Sequence, residues 1–96
     1  MFDNCNFGVW GQACVEVGSG IAKEYRKTSR YNRNIVIEDN LFRVFGPQTL
    51  LGLYSVDGLT FRNNRREKSE AYPPRTGDVP QFAIEDSDNV KIEPFK

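Results

Sequence analysis

Carboxylates are the candidate acids and bases of this chain, whose 96 residues include no histidine. That removes the commonest general base, and with it Ser-His and Cys-His nucleophile pairs. Asp39, Asp57 and Asp88 are the carboxylates whose positions invite a catalytic reading. Asp57 and Asp88, however, stand at equivalent places in Ser55-Val56-Asp57-Gly58 and Asp86-Ser87-Asp88-Asn89. There an aspartate can bond its neighbouring backbone, and the following Gly58 or Asn89 tolerates a positive φ. Turn stabilisation explains both, so no catalytic residue is assigned. Cys5 and Cys14 are the only cysteines. Two thiolates without a histidine are a poor basis for zinc, so no metal and no cofactor is expected; the pair reads as buried thiols or as a disulfide.

The elements that must position these residues form a degenerate repeat. Asn34-Ile35-Val36-Ile37-Glu38-Asp39-Asn40, Gly58-Leu59-Thr60-Phe61-Arg62-Asn63-Asn64 and Asn89-Val90-Lys91-Ile92-Glu93-Pro94-Phe95 share one pattern of turn residue, apolar, variable, apolar. Alternation of period two puts Ile35 with Ile37, Leu59 with Phe61 and Val90 with Ile92 on one face. Upstream of each lies a second alternating pair: Val15 and Val17, Leu51 and Leu53, Phe82 and Ile84. Each unit therefore reads strand, turn, strand, with the corners at Asp57-Gly58 and Asp88-Asn89. Hairpins are the alternative, but three like units with matched inward faces stack naturally as parallel coils. Ile35 should then lie beside Leu59 and Leu59 beside Val90.

Matching positions are 24 residues apart from Ile35 to Leu59 and 31 apart from Leu59 to Val90. Insertions explain the difference: residues 18–33 and 65–79 are expected to project as loops, the second marked by Pro73-Pro74 and Thr76-Gly77-Asp78. A short helical turn is expected within 21–27. Asn40 and Asn64 recur directly after an inward strand, where stacked amides can form a ladder and satisfy turn backbone. Phe42 follows Asn40 by two positions and Arg66 stands at the matching place after Asn64, so the pattern decays there.

Trp10, Tyr25, Tyr31 and Tyr72 carry ring faces able to stack on sugars. Trp10, between Gly8 and Gly11, reads as a turn residue covering the core. Loops on a rigid scaffold collect binding residues, which makes Tyr25, Arg30, Tyr31 and Tyr72 the candidate sugar contacts. The basic runs from Lys23 to Arg33 and from Arg62 to Lys68 are interleaved with Glu24, Glu67 and Glu70 and read as solvated faces, with an acidic glycan as the sharper alternative. Thirteen basic and thirteen acidic side chains cancel, so neither nucleic acid nor a membrane surface is an expected partner. No apolar run reaches the length of a membrane span, and MFDNCNFGVW lacks the basic and apolar regions of a signal peptide.

The strings Asn34 to Phe42 and Ser55 to Asn64 resemble the repeats of pectate-lyase-type β-helices. A narrower similarity, carried by Phe2-Asp3-Asn4-Cys5, Gly8 to Cys14, Gly20-Ile21, Ser29 to Asn32 and those two strings, resembles the late coils of the bacterial α-1,3-galactosidases of glycoside hydrolase family 110, typical of gut Bacteroides. The resemblance implies an all-β chain forming one domain over residues 1–96, a right-handed parallel β-helix fragment of about three coils with two projecting loops. It implies a parent enzyme, periplasmic or extracellular, that removes terminal α-linked galactose with inversion and without a metal. Such chemistry needs two carboxyl groups about 6.5–9.5 Å apart, and they are expected on coils upstream of Met1. The start resembles the segment that follows a strand, so a partial gene product is expected, its partners being a glycan and the upstream coils. Open coil ends should favour self-association. A stand-alone carbohydrate-binding module, or a β-helix segment of a polysaccharide lyase or adhesin, shares the same repeat.

Overall fold

The computed structural model describes residues 1–3, 13–18, 22–26, 29–74 and 76–96. Cys5, Trp10 and the Gly8-to-Gly11 turn therefore lie outside the described residues. The chain is built of strands: β1 (Phe2–Asp3), β2 (Val15–Val17), β3 (Asn32–Glu38), β4 (Leu41–Val44), β5 (Leu51–Tyr54), β6 (Val56–Arg62), β7 (Arg65–Lys68), β8 (Phe82–Glu85) and β9 (Asp88–Ile92). The one helix among the described residues, α1 (Lys23–Arg26), is a single turn.

The strands form three parallel sheets, β1-β4-β7, β2-β5-β8 and β3-β6-β9. The chain thus visits the first, second and third sheet in order, three times. Inward residues meet their equivalents: Ile35 pairs with Leu59 and Leu59 with Val90, Ile37 with Phe61 and Phe61 with Ile92, all in the expected register. Val15 pairs with Leu51 and Leu51 with Phe82. Parallel pairing, not hairpins, is the rule.

Burial follows from position in the stack. Phe42, Leu50, Leu51, Leu53, Val56, Leu59 and Phe61, all from the middle pass, are buried, because that pass has a neighbour on each side. Their counterparts Phe2, Val15, Val17, Ile35, Phe82, Val90 and Ile92 are only partly covered. Rings fill the centre: Phe2 stacks on Phe42 with centroids 4.9 Å apart, and Phe61 meets Phe82 edge-on at 5.4 Å.

Three expectations are corrected. Residues 65–68 are not loop, since β7 pairs in register with β4, Phe42 beside Arg66. The projecting segment begins at Ser69, and the earlier insertion ends at Tyr31, just before β3 starts at Asn32. The pattern fails to show β7 because Arg66 replaces an inward phenylalanine, and Phe95 supplies the missing ring, 6.3 Å from Phe42 and 5.7 Å from Phe61. Finally, Asp57-Gly58 and Asp88-Asn89 lie inside β6 and β9, and the corners fall earlier, at Ser55 (φ 65°) and Asp86 (φ 48°).

The positive φ expected of Gly58 and Asn89 is nevertheless present, as a kink within the strand. Asn34 (φ 55°), Gly58 (φ 90°) and Asn89 (φ 54°) occupy one register position in successive passes. Asparagine enters this region at little cost, whereas a β-branched residue does not. A Cβ on Gly58 would also lie 3.4 Å from Asn34 Oδ1. Gly58→Asn should therefore shift the urea midpoint little, and Gly58→Val should cost about 1–3 kcal/mol. Equal tolerance of both would refute the kink.

Candidate functional site

Two corners of the stack carry the side chains of interest. At the corner between the second and third sheets, the segment 29–31 is tied across all three passes. The Tyr31 N–H donates to Ser55 Oγ at 2.9 Å, the Ser55 hydroxyl donates to Ser29 O at 3.1 Å, and Arg30 Nε donates to Asp88 Oδ2 at 2.8 Å. Lys23 on α1 lies 3.7 Å from Glu85. This pinning leaves Tyr25 and Tyr31 facing solvent, 60% and 54% exposed. Arg30, with Asp88 on its guanidinium, is committed to holding the segment down.

Each candidate carboxylate is engaged by a side chain of another pass. Asp57 Oδ1 accepts from Asn89 Nδ2 at 2.8 Å, Asp88 takes Arg30, and Asp39 accepts from Asn63 Nδ2. The Asn40 and Asn64 amides do not bond each other. Asn64 is buried, accepts the Asn40 N–H at 2.9 Å and donates to Ile37 O at 3.1 Å, while Asn40 Nδ2 donates to Glu38 O at 3.0 Å. Both satisfy turn backbone, and Asn64 does so across passes.

Charges on the outer faces also align by register. Arg43 stands between its register mates Asp3 and Glu67, at 3.7 and 3.5 Å. Arg62 Nε donates to Glu38 at 2.6 Å, and this hydrogen bond, then the Glu38 charge, raises the Arg62 pKa above its ordinary value. Arg62 is cationic at any accessible pH, so the pair orders the surface without acting as a switch. Among the described residues no group of three or more His, Cys, Asp or Glu stands where it could share a metal ion.

The second corner lies between the first and second sheets. Tyr72 sits there on Phe45, ring centroids 5.1 Å apart, away from the segment that carries Tyr25 and Tyr31. Beside this corner opens a cleft of about 600 Å³ bordered by 44–48, β7 and the segment before β8. Its polar lining includes Gln48, Arg66, Asp78 and Gln81. Sequence reasoning passed over these residues. The one available signal was the surplus length after Asn64, which marks where the chain departs from the repeat.

No protein-family model matches the chain. It is 35% identical over 71 residues to alpha-1,3-galactosidase B of Phocaeicola vulgatus, a match covering 74% of this chain and 12% of that protein. It is 29% identical over 89 residues to alpha-1,3-galactosidase A of Shewanella woodyi, covering 93% of this chain and 14% of that protein. The chain thus spans about an eighth of the length of the curated relatives it matches. It is distantly related to α-1,3-galactosidases over a small part of their length.

Proposed function

We propose that this chain forms coils of a right-handed parallel β-helix within a secreted glycoside hydrolase resembling α-1,3-galactosidases, and that these coils support the active site without supplying its acid and base. The observation that carries this reading is the threefold, in-register return of the chain to the same three parallel sheets. The right hand follows the general preference of parallel crossover connections. A non-catalytic role is supported by the state of Asp39, Asp57 and Asp88, each held by a side chain of another pass. The small share of the relatives covered supports further coils as natural neighbours, and a glycan as the whole enzyme's substrate.

On this reading the chain alone should not hydrolyse 4-nitrophenyl α-galactoside above background. Sedimentation of the same sample should show mass rising with concentration, because the partly covered outer passes favour edge-to-edge pairing. Turnover abolished by Asp57→Asn or Asp39→Asn would overturn the scaffold role. The exposure of Tyr25 and Tyr31 favours a second reading, a carbohydrate-binding module acting alone. In that case galactosyl oligosaccharides should perturb both tyrosines without any hydrolysis.

A further inference from the structure

The connection from β4 to β5 takes six residues and that from β7 to β8 takes thirteen, a surplus of seven that equals the surplus between Leu59 and Val90. The longer connection is anchored at both ends to the middle pass. Ser69 N–H donates to Val44 O at 2.8 Å, Thr49 Oγ1 donates to Pro80 O at 2.7 Å, and Leu50 N–H donates to Gln81 O at 2.7 Å. Between these anchors Pro74, Gly77, Asp78 and Val79 border the open cleft of about 600 Å³.

We propose that this cleft is a binding subsite for a hexose-sized unit of a neutral glycan, with Arg66 and Asp78 as its principal polar contacts. The inference rests on the glycan-directed reading above and places a sugar away from Tyr25 and Tyr31. The volume lies within the usual range for ligand pockets, about 300–1,000 Å³. The charges in the lining balance, Arg66 and Lys68 against Glu67 and Asp78. Glu67 is paired with Arg43 and Lys68 stands 4.0 Å from Glu70, whereas Arg66 and Asp78 make no ion pair among the described residues.

One fixed donor fork and one carboxylate acceptor suit hydroxyl groups, which both donate and accept. A carboxylate or sulfate ligand would instead face Asp78 and Glu67. Pro47, Pro74 and Val79 supply apolar wall for the C–H face of a pyranose ring.

The test is an NMR titration of the chain with the disaccharide galactosyl-α-1,3-galactose. Millimolar sugar should shift the amides of Gly46, Gly77 and Gln81. Arg66→Ala and Asp78→Ala, both exposed positions, should each weaken binding roughly tenfold, about 1.4 kcal/mol, and Lys91→Ala on the third sheet should leave it unchanged. Shifts confined to Tyr25 and Tyr31 would sink the cleft while leaving the glycan reading standing. Tighter binding of a galacturonate disaccharide would reject the neutral class. No response to galactosyl, glucosyl or mannosyl disaccharides would remove the subsite altogether, with the parallel register and the expected lack of hydrolysis untouched.

Discussion

Phe42→Ala should destabilise the chain by about 3–5 kcal/mol, the range for truncating a buried aromatic residue. Phe42 is fully buried and lies at the centre of the ring cluster, with Phe2 at 4.9 Å, Phe61 at 5.8 Å and Phe95 at 6.3 Å. Those rings belong to every pass, so the cavity would face three walls that cannot all collapse into it. A loss of this size approaches the whole stability of a small domain, about 5 kcal/mol at the low end. Urea unfolding followed by circular dichroism measures it. Phe42→Leu should retain most of the stability, and Ile84→Ala, at a side chain 43% exposed, should cost far less. A loss for Phe42→Ala below about 1 kcal/mol would mean that the rings are not packed as described.

Asn64→Ala is the second large effect, and its cause is polar. The side chain is only 1% exposed, and its amide serves two backbone groups, the Asn40 N–H and the Ile37 carbonyl. Truncation leaves both without that partner, at about 1–3 kcal/mol for each buried group. Asn64→Asp separates the two bonds. Its ionised carboxylate still accepts from Asn40 but cannot donate to Ile37 O, whereas its protonated form can do both. Burial and the donated hydrogen bond favour the protonated form, so the folded-state pKa is raised above the unfolded one. The stability contributed by this group is then fully present below the unfolded pKa and is lost as pH rises through the folded pKa. The deficit of Asn64→Asp relative to the natural chain should therefore grow from acidic to neutral pH. A pH-independent deficit would show that Asn64 fills space without bonding the turn.

Much of this architecture was legible because the inward rows keep the same chemistry in each pass. Ile35, Leu59 and Val90, like Val15, Leu51 and Phe82, are apolar mates at period two, and parallel pairing sets them side by side. β7 was not legible, since Arg65-Arg66-Glu67-Lys68 has no apolar alternation and its strand conformation is imposed by β4. The corner at Ser55 was hidden for another reason. Serine is an unusual residue at positive φ, and its buried hydroxyl earns the place by bonding segment 29–31. Of the candidate residues, Tyr25 and Tyr31 could be picked out as exposed rings from their loop positions, whereas Asp57, read as a corner residue, lies within β6 and accepts from Asn89 of the next pass. The cleft could not, because residues 44–48 and 66–81 meet only once the passes are stacked.

The register offsets carry a consequence for how the chain finds its fold. Every sheet pairing joins residues at least 24 positions apart, and the pairing of Phe2 with Phe42 spans 40. Among the described residues no hairpin and no long helix offers a local nucleus, so the first pairing must close a long loop before any contact rewards it, the situation that makes folding slow. Closure entropy grows only with the logarithm of loop length, and the step from 24 to 31 positions adds about 0.2 kcal/mol. Once Ile37 has met Phe61, Leu41 and Arg65 are each four residues further along the chain, at the starts of β4 and β7, and their pairing closes almost nothing. The seven additional residues between β7 and β8 are therefore nearly silent to the assembly of the stack. A one-residue slip inside β6 would turn Leu59 and Phe61 out of the core. Corners are where this architecture can vary in length, and strands are where it must count.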